Sequence, residues 1–184
     1  MSNIATDIEH LEQVISEALT SEWEAQGHKM SGRVVKEIEF KTKQTANTLI
    51  LSGFMYPYAN IIAAGTKPSK IPFSGGSKRG QGKGGTSLYI AALQNYVKNR
   101  MSISDEKKSL SIAFAIAKTQ KEEGMPTLNS YRYSSSGKRL DWVQEAFKNN
   151  EDKITEAISQ MAFNMLSVNI DVLLNKWQLE INKT

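Results

Sequence analysis

The sequence has no cysteine and only two histidines, His10 and His28. Without cysteine there is no disulfide, no thiolate metal site and no thiol nucleophile, and the chain is indifferent to the redox state of its surroundings. With so few histidines, acid–base chemistry would fall to carboxylates, and a zinc site would be short of its usual ligands. His10 reads as a solvated residue of the first helix, and His28, beside Gly27, as a loop or helix-end residue. No basic, then apolar, leader opens the chain, and no stretch reads as long enough for a membrane span, so neither secretion nor membrane insertion is expected.

What is there is ordinary in amount and unusual in arrangement. A hydrophobic fraction of 40% and a charged fraction of 23% suit a folded globular protein, and 184 residues suit one domain spanning residues 1–184. The net charge of +4 hides a segregation of sign. Asp7, Glu9, Glu12, Glu17, Glu22 and Glu24 lie in the first helical segment with no Lys or Arg among them. From Thr66 to Ser104 the signs reverse, with Lys67, Lys70, Lys78, Arg79, Lys83, Lys98 and Arg100 and no acid.

The periodicity predicts an α+β fold. Thr6 and Glu9 read as a capping box, and Ile4, Ile8, Leu11, Ile15 and Leu19 recur at helical spacing, with Gly27 as the stop. Val34, Ile38 and Phe40 alternate with Val35, Glu37, Glu39 and Lys41 as in a strand with one buried face, although Lys36 breaks the pattern. Thr48 to Phe54 returns as its antiparallel partner after the turn Thr42 to Asn47. Tyr56 to Ala64, which contains Pro57, fits an edge strand or a single helical turn. Taken as an edge strand, it joins the hairpin in a small antiparallel sheet packed by the N-terminal helix and several C-terminal helices.

Residues 67–85 hold Pro68, Pro72 and six glycines, which predicts a long, mobile Gly/Lys-rich loop, and such loops inside compact domains are usually functional or disordered. A helix follows from Thr86 or Ser87, carrying Leu88, Ala91, Ala92, Tyr96 or Asn95, and Val97. Another starts at Ser104, with an alanine-rich face of Leu110, Ala113, Phe114, Ile116 and Ala117, and ends at Gly124 and Pro126. An irregular segment spans 125–138. Leu140 to Lys148 is helical, and a long helix from about Asn150 carries the stripe Ile154, Ile158, Met161, Met165, Val168 and Val172. Ile170, Leu174 and Trp177 lie on another side of it and suggest a second contact surface.

No motif carries catalytic chemistry. Ser74 to Gly85 invites comparison with a phosphate-binding loop, but Gly82-Lys83 is followed by Gly84 rather than Ser or Thr, and no apolar strand leads directly into it. The acid pairs Asp105-Glu106 and Glu122-Glu123 sit at helix ends, where charge acts on the helix dipole. No cofactor and no metal site is expected. The basic residues Lys67, Lys70, Lys78, Arg79 and Lys83 are the candidate partner-binding set. They suit a protein surface or nucleic-acid phosphates, although Phe73 is the one aromatic near them and a base-stacking platform is poorly supported.

Tyr58-Ala59, Ile61-Ile62-Ala63-Ala64-Gly65-Thr66-Lys67-Pro68 and Ile71-Pro72-Phe73, together with Leu93 to Arg100 and Ser111 to Gly124, give the chain a likeness to a known group. It resembles the small neck and tail-completion proteins that join head to tail in tailed bacteriophages. The chain departs from the family pattern in the Ser74 to Gly85 insert and in the long C-terminal helix. The resemblance implies a non-enzymatic virion protein, assembled in the bacterial host cytoplasm. Its partners would be copies of itself in a ring, the portal or adaptor, and tail proteins, with non-specific contact to DNA in the channel. The segregated charge suits such packing, an acidic side meeting a basic one. A basic-loop nucleic-acid-binding module and a small regulatory interaction protein are the other classes the residues allow.

Overall fold

The computed structural model describes residues 4–28, 33–45, 48–73 and 87–181. The fold is α+β and mostly helical, with one two-stranded antiparallel sheet. The chain divides into two compact units interleaved in sequence: residues 1–24, 33–56 and 142–184 form the first, and residues 25–32 and 57–141 the second.

In the first unit, helix α1 (Ile4–Ala25) buries Leu11, Ala18, Leu19, Glu22 and Trp23 along one face. A short helix α2 (Arg33–Lys36) leads into strand β1 (Glu39–Gln44), which pairs with β2 (Leu49–Phe54) in the register Glu39 with Phe54 and Gln44 with Leu49. Helices α6 (Trp142–Asn149) and α7 (Glu151–Ile181) complete this unit. Leu11 packs with Ile154, Ala157 and Met161 of α7, and Leu49 and Leu51 of β2 cover the same cluster. Trp142 is fully buried and meets Trp23 edge-on, with ring centroids 5.1 Å apart. Two polar contacts fasten the unit: Asn149 donates to the buried Glu22 at 3.0 Å and Asn164 to Asp7 at 2.9 Å.

In the second unit, α3 (Tyr58–Ala64) precedes α4 (Leu88–Met101) and α5 (Glu106–Glu123). Ile90 of α4 packs with Ala113 and Ala117 of α5, both with no exposed surface, and Leu93, Leu110, Phe114 and Phe73 surround them. Alanine at the contact presents only a methyl group, which lets the helices approach closely. Ser109 is buried between its bonds, donating to the Glu106 carbonyl at 3.1 Å and accepting from Gln94 at 3.2 Å. A 3-10 turn over Leu128–Tyr133 lies within the segment expected to be irregular.

Several sequence expectations shift. Val34 and Val35 are both buried, which a helical turn allows and an alternating strand forbids, so the first strand begins at Glu39 and not at Val34. Within Tyr56 to Ala64, Tyr58–Ala64 forms helix α3, so this segment adds no third strand to the two-stranded sheet among the described residues. Thr6 sits inside α1 and not at its cap, while Gly27 follows the helix at φ +76° as expected. The caps of the next helices are Ser87, which accepts from the Ile90 N–H at 3.3 Å, and Asp105 rather than Ser104, which accepts from the Lys108 N–H at 2.6 Å. Leu88, expected on the apolar face of α4, is 91% exposed, and Ile90 takes its place. In α7, Ala157 is buried where Ile158 was expected. By length and composition, Glu151–Gln178 qualifies as a membrane-length apolar helix, against the expectation of none.

Candidate interaction surface

The five basic candidates start from a short, well-built stretch. Helix α3 ends at Gly65 (φ +71°), and Thr66 pairs with Met125 through two backbone bonds: Thr66 N–H to the Met125 carbonyl at 2.7 Å and Met125 N–H to the Thr66 carbonyl at 2.8 Å. Glycine is required on both sides of this staple. A Cβ at Gly65 would lie 2.5 Å from the Met125 carbonyl oxygen, and one at Gly124 (φ +89°) would lie 2.6 Å from that of Thr66. The staple joins two stretches far apart in sequence, the end of α3 and the end of α5.

Beyond it the chain makes a 3-10 turn, Pro68–Lys70, closed by the Lys70 N–H on the Lys67 carbonyl at 2.9 Å. Ile71 is 2% exposed, its carbonyl accepts from Lys121 Nζ at 3.1 Å, and Phe73 tilts against Phe114 at a centroid distance of 6.2 Å. Residues 67–73, expected to belong to a mobile loop, are therefore anchored on α5. Phe73 and Phe114, with Ala115, Lys118, Lys121 and Glu122, line a shallow open hollow.

Of the candidate set, the structure places Lys67 and Lys70, both exposed, at either end of this 3-10 turn. Lys78, Arg79 and Lys83 lie outside the described residues, as does the Ser74 to Gly85 insert. Lys98, counted with the basic run, is committed elsewhere: it pairs with Glu106. Lys121 was not singled out in the sequence as a member of this surface. Its spacing of three from Lys118 and seven from Phe114 on one helix is the signal that points to it.

The acidic side is also partly consumed within the fold. Asp7 and Glu22 accept the side-chain amides of Asn164 and Asn149, leaving Glu9, Glu17 and Glu24 exposed on α1. The acid pairs at helix ends have structural partners: Glu123 accepts from the Leu128 N–H at 2.8 Å, and Glu122 lies 4.0 Å from Lys118.

His10 is exposed on α1. His28 is half-buried; loss of solvent, and then the nearby Arg139 charge, lower its pKa to about 4, only partly offset by its hydrogen bond with the Arg139 backbone. Burial likewise pulls Arg139 below its ordinary value, opposed by Tyr96 and Tyr131, and raises Tyr89. Among the described residues no three His, Asp or Glu side chains converge as a metal site would require.

Comparison with protein-family models, curated proteins and solved structures finds no match.

Proposed function

We propose that this protein is a structural subunit that works by binding other proteins, of the kind that completes the neck or tail of a tailed bacteriophage and joins head to tail without catalysis. The observation that carries this reading is the Thr66–Met125 staple. It brings Gly65-Thr66 against Gly124-Met125, so two separate stretches behind the resemblance serve one local structure. That structure holds an exposed basic turn, Lys67 to Lys70, on an anchored base. A rigid base with charged side chains directed to solvent suits recognition of a surface, because little order has to be gained on binding.

Copies of the chain, portal or adaptor and tail proteins are the partners in this reading, and the exposed carboxylates of α1 supply opposite charge for the basic turn of a neighbour. DNA in the channel would be touched without sequence preference. The test is electron microscopy of particles assembled with Lys67, Lys70, Lys78, Arg79 and Lys83 all changed to Ser. Filled heads without joined tails are expected. Normally joined particles would remove the basic set from the account, and tight, steeply salt-dependent DNA binding by the isolated chain would favour a nucleic-acid-binding module instead.

A further inference from the structure

Helix α7 has large apolar side chains on two sides, and among the described residues only one side is covered. Ile154, Ala157 and Met161 are buried, with Met165 beside them in the cluster that contains Leu11 of α1. Phe163, Leu166, Ile170, Leu173 and Trp177 are 65, 62, 54, 65 and 63% exposed. At 3.6 residues per turn these five fall roughly 160° around the helix from the covered stripe. Their spacing is three, four, three, four, the a/d repeat of a helix that lies along another helix at a shallow angle.

We propose that the same face of a second copy of this chain covers this seam, with Ile170 at its centre. The area is sufficient. Counting a full side chain of this size as ~150–200 Å², the five residues with Leu174 and Ile181 offer about 600–900 Å² per chain, against the ~800 Å² per partner of a standard stable interface. Charge does not oppose like pairing with like, because Asp171 and Lys176 are the charged residues between Phe163 and Gln178 and they cancel. A face that meets its own copy across a two-fold axis closes that contact at two and leaves none of its apolar surface to propagate.

A bilayer fits less well. The first half of α7 is held in the protein, by burial of Met161 and by the bond from Asn164 to Asp7. The remaining run from Leu166 to Ile181 spans about 24 Å at ~1.5 Å per residue, short of a hydrocarbon core of ~30 Å. Ser167, Asn169, Asp171 and Asn175 interrupt it, and its single lysine, Lys176, makes no basic face for an anionic lipid surface.

Sedimentation equilibrium of the full chain over a range of micromolar concentrations, with flotation on phosphatidylcholine vesicles, tests the proposal. The wild-type chain is expected to reach twice the chain mass and to stay off the vesicles. Ile170→Ser with Leu173→Ser should weaken association at least about 100-fold while the monomer keeps its thermal transition, since both side chains are exposed in the single chain. Should that double variant fail to fold, Trp177→Ala at the seam's end decides, with a loss of about tenfold. A wild-type chain that stays monomeric, variants that associate as tightly as wild type, or wild type that floats with vesicles would each overturn the pairing. The seam stands apart from the connector reading: a dimer persisting beside normally joined particles of the variant with all five basic residues changed to Ser would leave the seam and remove the basic set.

Discussion

The two halves of α7 are built from the same kind of side chain and meet opposite surroundings. Ile154, Ala157 and Met161 are 7, 5 and 6% exposed, whereas Ile170, Leu173 and Trp177 are 54, 65 and 63% exposed. Nothing in hydrophobicity separates the two sets. In the first half α1 and β2 stand beside the helix, and in the second half no element of the chain does so among the described residues. An apolar stripe thus reports which side chains favour cover, and not whether the cover comes from the same chain.

The largest expected effect sets one half against the other. Met161→Ala removes a buried side chain from the α1–α7 cluster and should cost about 2–5 kcal/mol in urea unfolding at any protein concentration. Leu173→Ala should change the stability of the dilute monomer by less than about 0.5 kcal/mol. Similar losses at the two positions would break the comparison.

A smaller effect sits at the boundary between the halves. Asn164→Ala removes the bond to Asp7, and for this partly buried pair the cost should be about 1 kcal/mol in the same unfolding measurement. If Asn164 marks the end of the covered half, hydrogen exchange should quicken in the turns on both sides of it in this variant, and only slightly near Trp177.

The smallest effect separates folding from association by pH. His28 titrates at 6.5 when unfolded and at about 4 when folded, so between these values the unfolded chain binds the extra proton. Its contribution to stability is complete above the unfolded pKa and declines as pH falls towards 4. Solvent screening at the half-exposed ring keeps the effect modest. The melting temperature should fall across the window and fall less in His28→Gln. No histidine lies in α7, so self-association should persist through the upper part of that window.

The fold was legible where periodicity and breakers agreed. The hairpin, the helix ending at Gly27, the alanine face of Ala113 and Ala117 and the start of α7 all follow from local pattern. It was not legible where local pattern was ambiguous or the outcome tertiary. Val34-Val35 can be half of an alternation or one apolar turn, and only the burial of both decides. Tyr56 to Ala64 was open between strand and turn because Pro57 suits the first turn of a helix as well as an edge. Ser104 and Asp105 both cap well, and the choice between neighbours rests on which side chain reaches the Lys108 N–H.

The candidate site was legible as composition and not as geometry. Lys67 and Lys70 follow from charge, but their anchoring depends on Ile71, Phe73 and Lys121, and the pairing of Thr66 with Met125 spans too much sequence for any local rule. On α7, Ile170, Leu174 and Trp177 signalled a second surface. The full seam, which adds Phe163, Leu166 and Leu173, emerges once the covered stripe is fixed.

The most direct measurement uses the absence of cysteine. A single Ile170→Cys thiol would be the only one in the chain, and Ile170 at the seam's midpoint faces its own copy whether two helices pair parallel or antiparallel, near the ~4.4–6.8 Å Cα separation a disulfide needs. Under mild oxidation this variant should form a covalent dimer, while Glu17→Cys, on the exposed face of α1, should remain a monomer. No dimer from Ile170→Cys, or no more than from Glu17→Cys, would contradict the account.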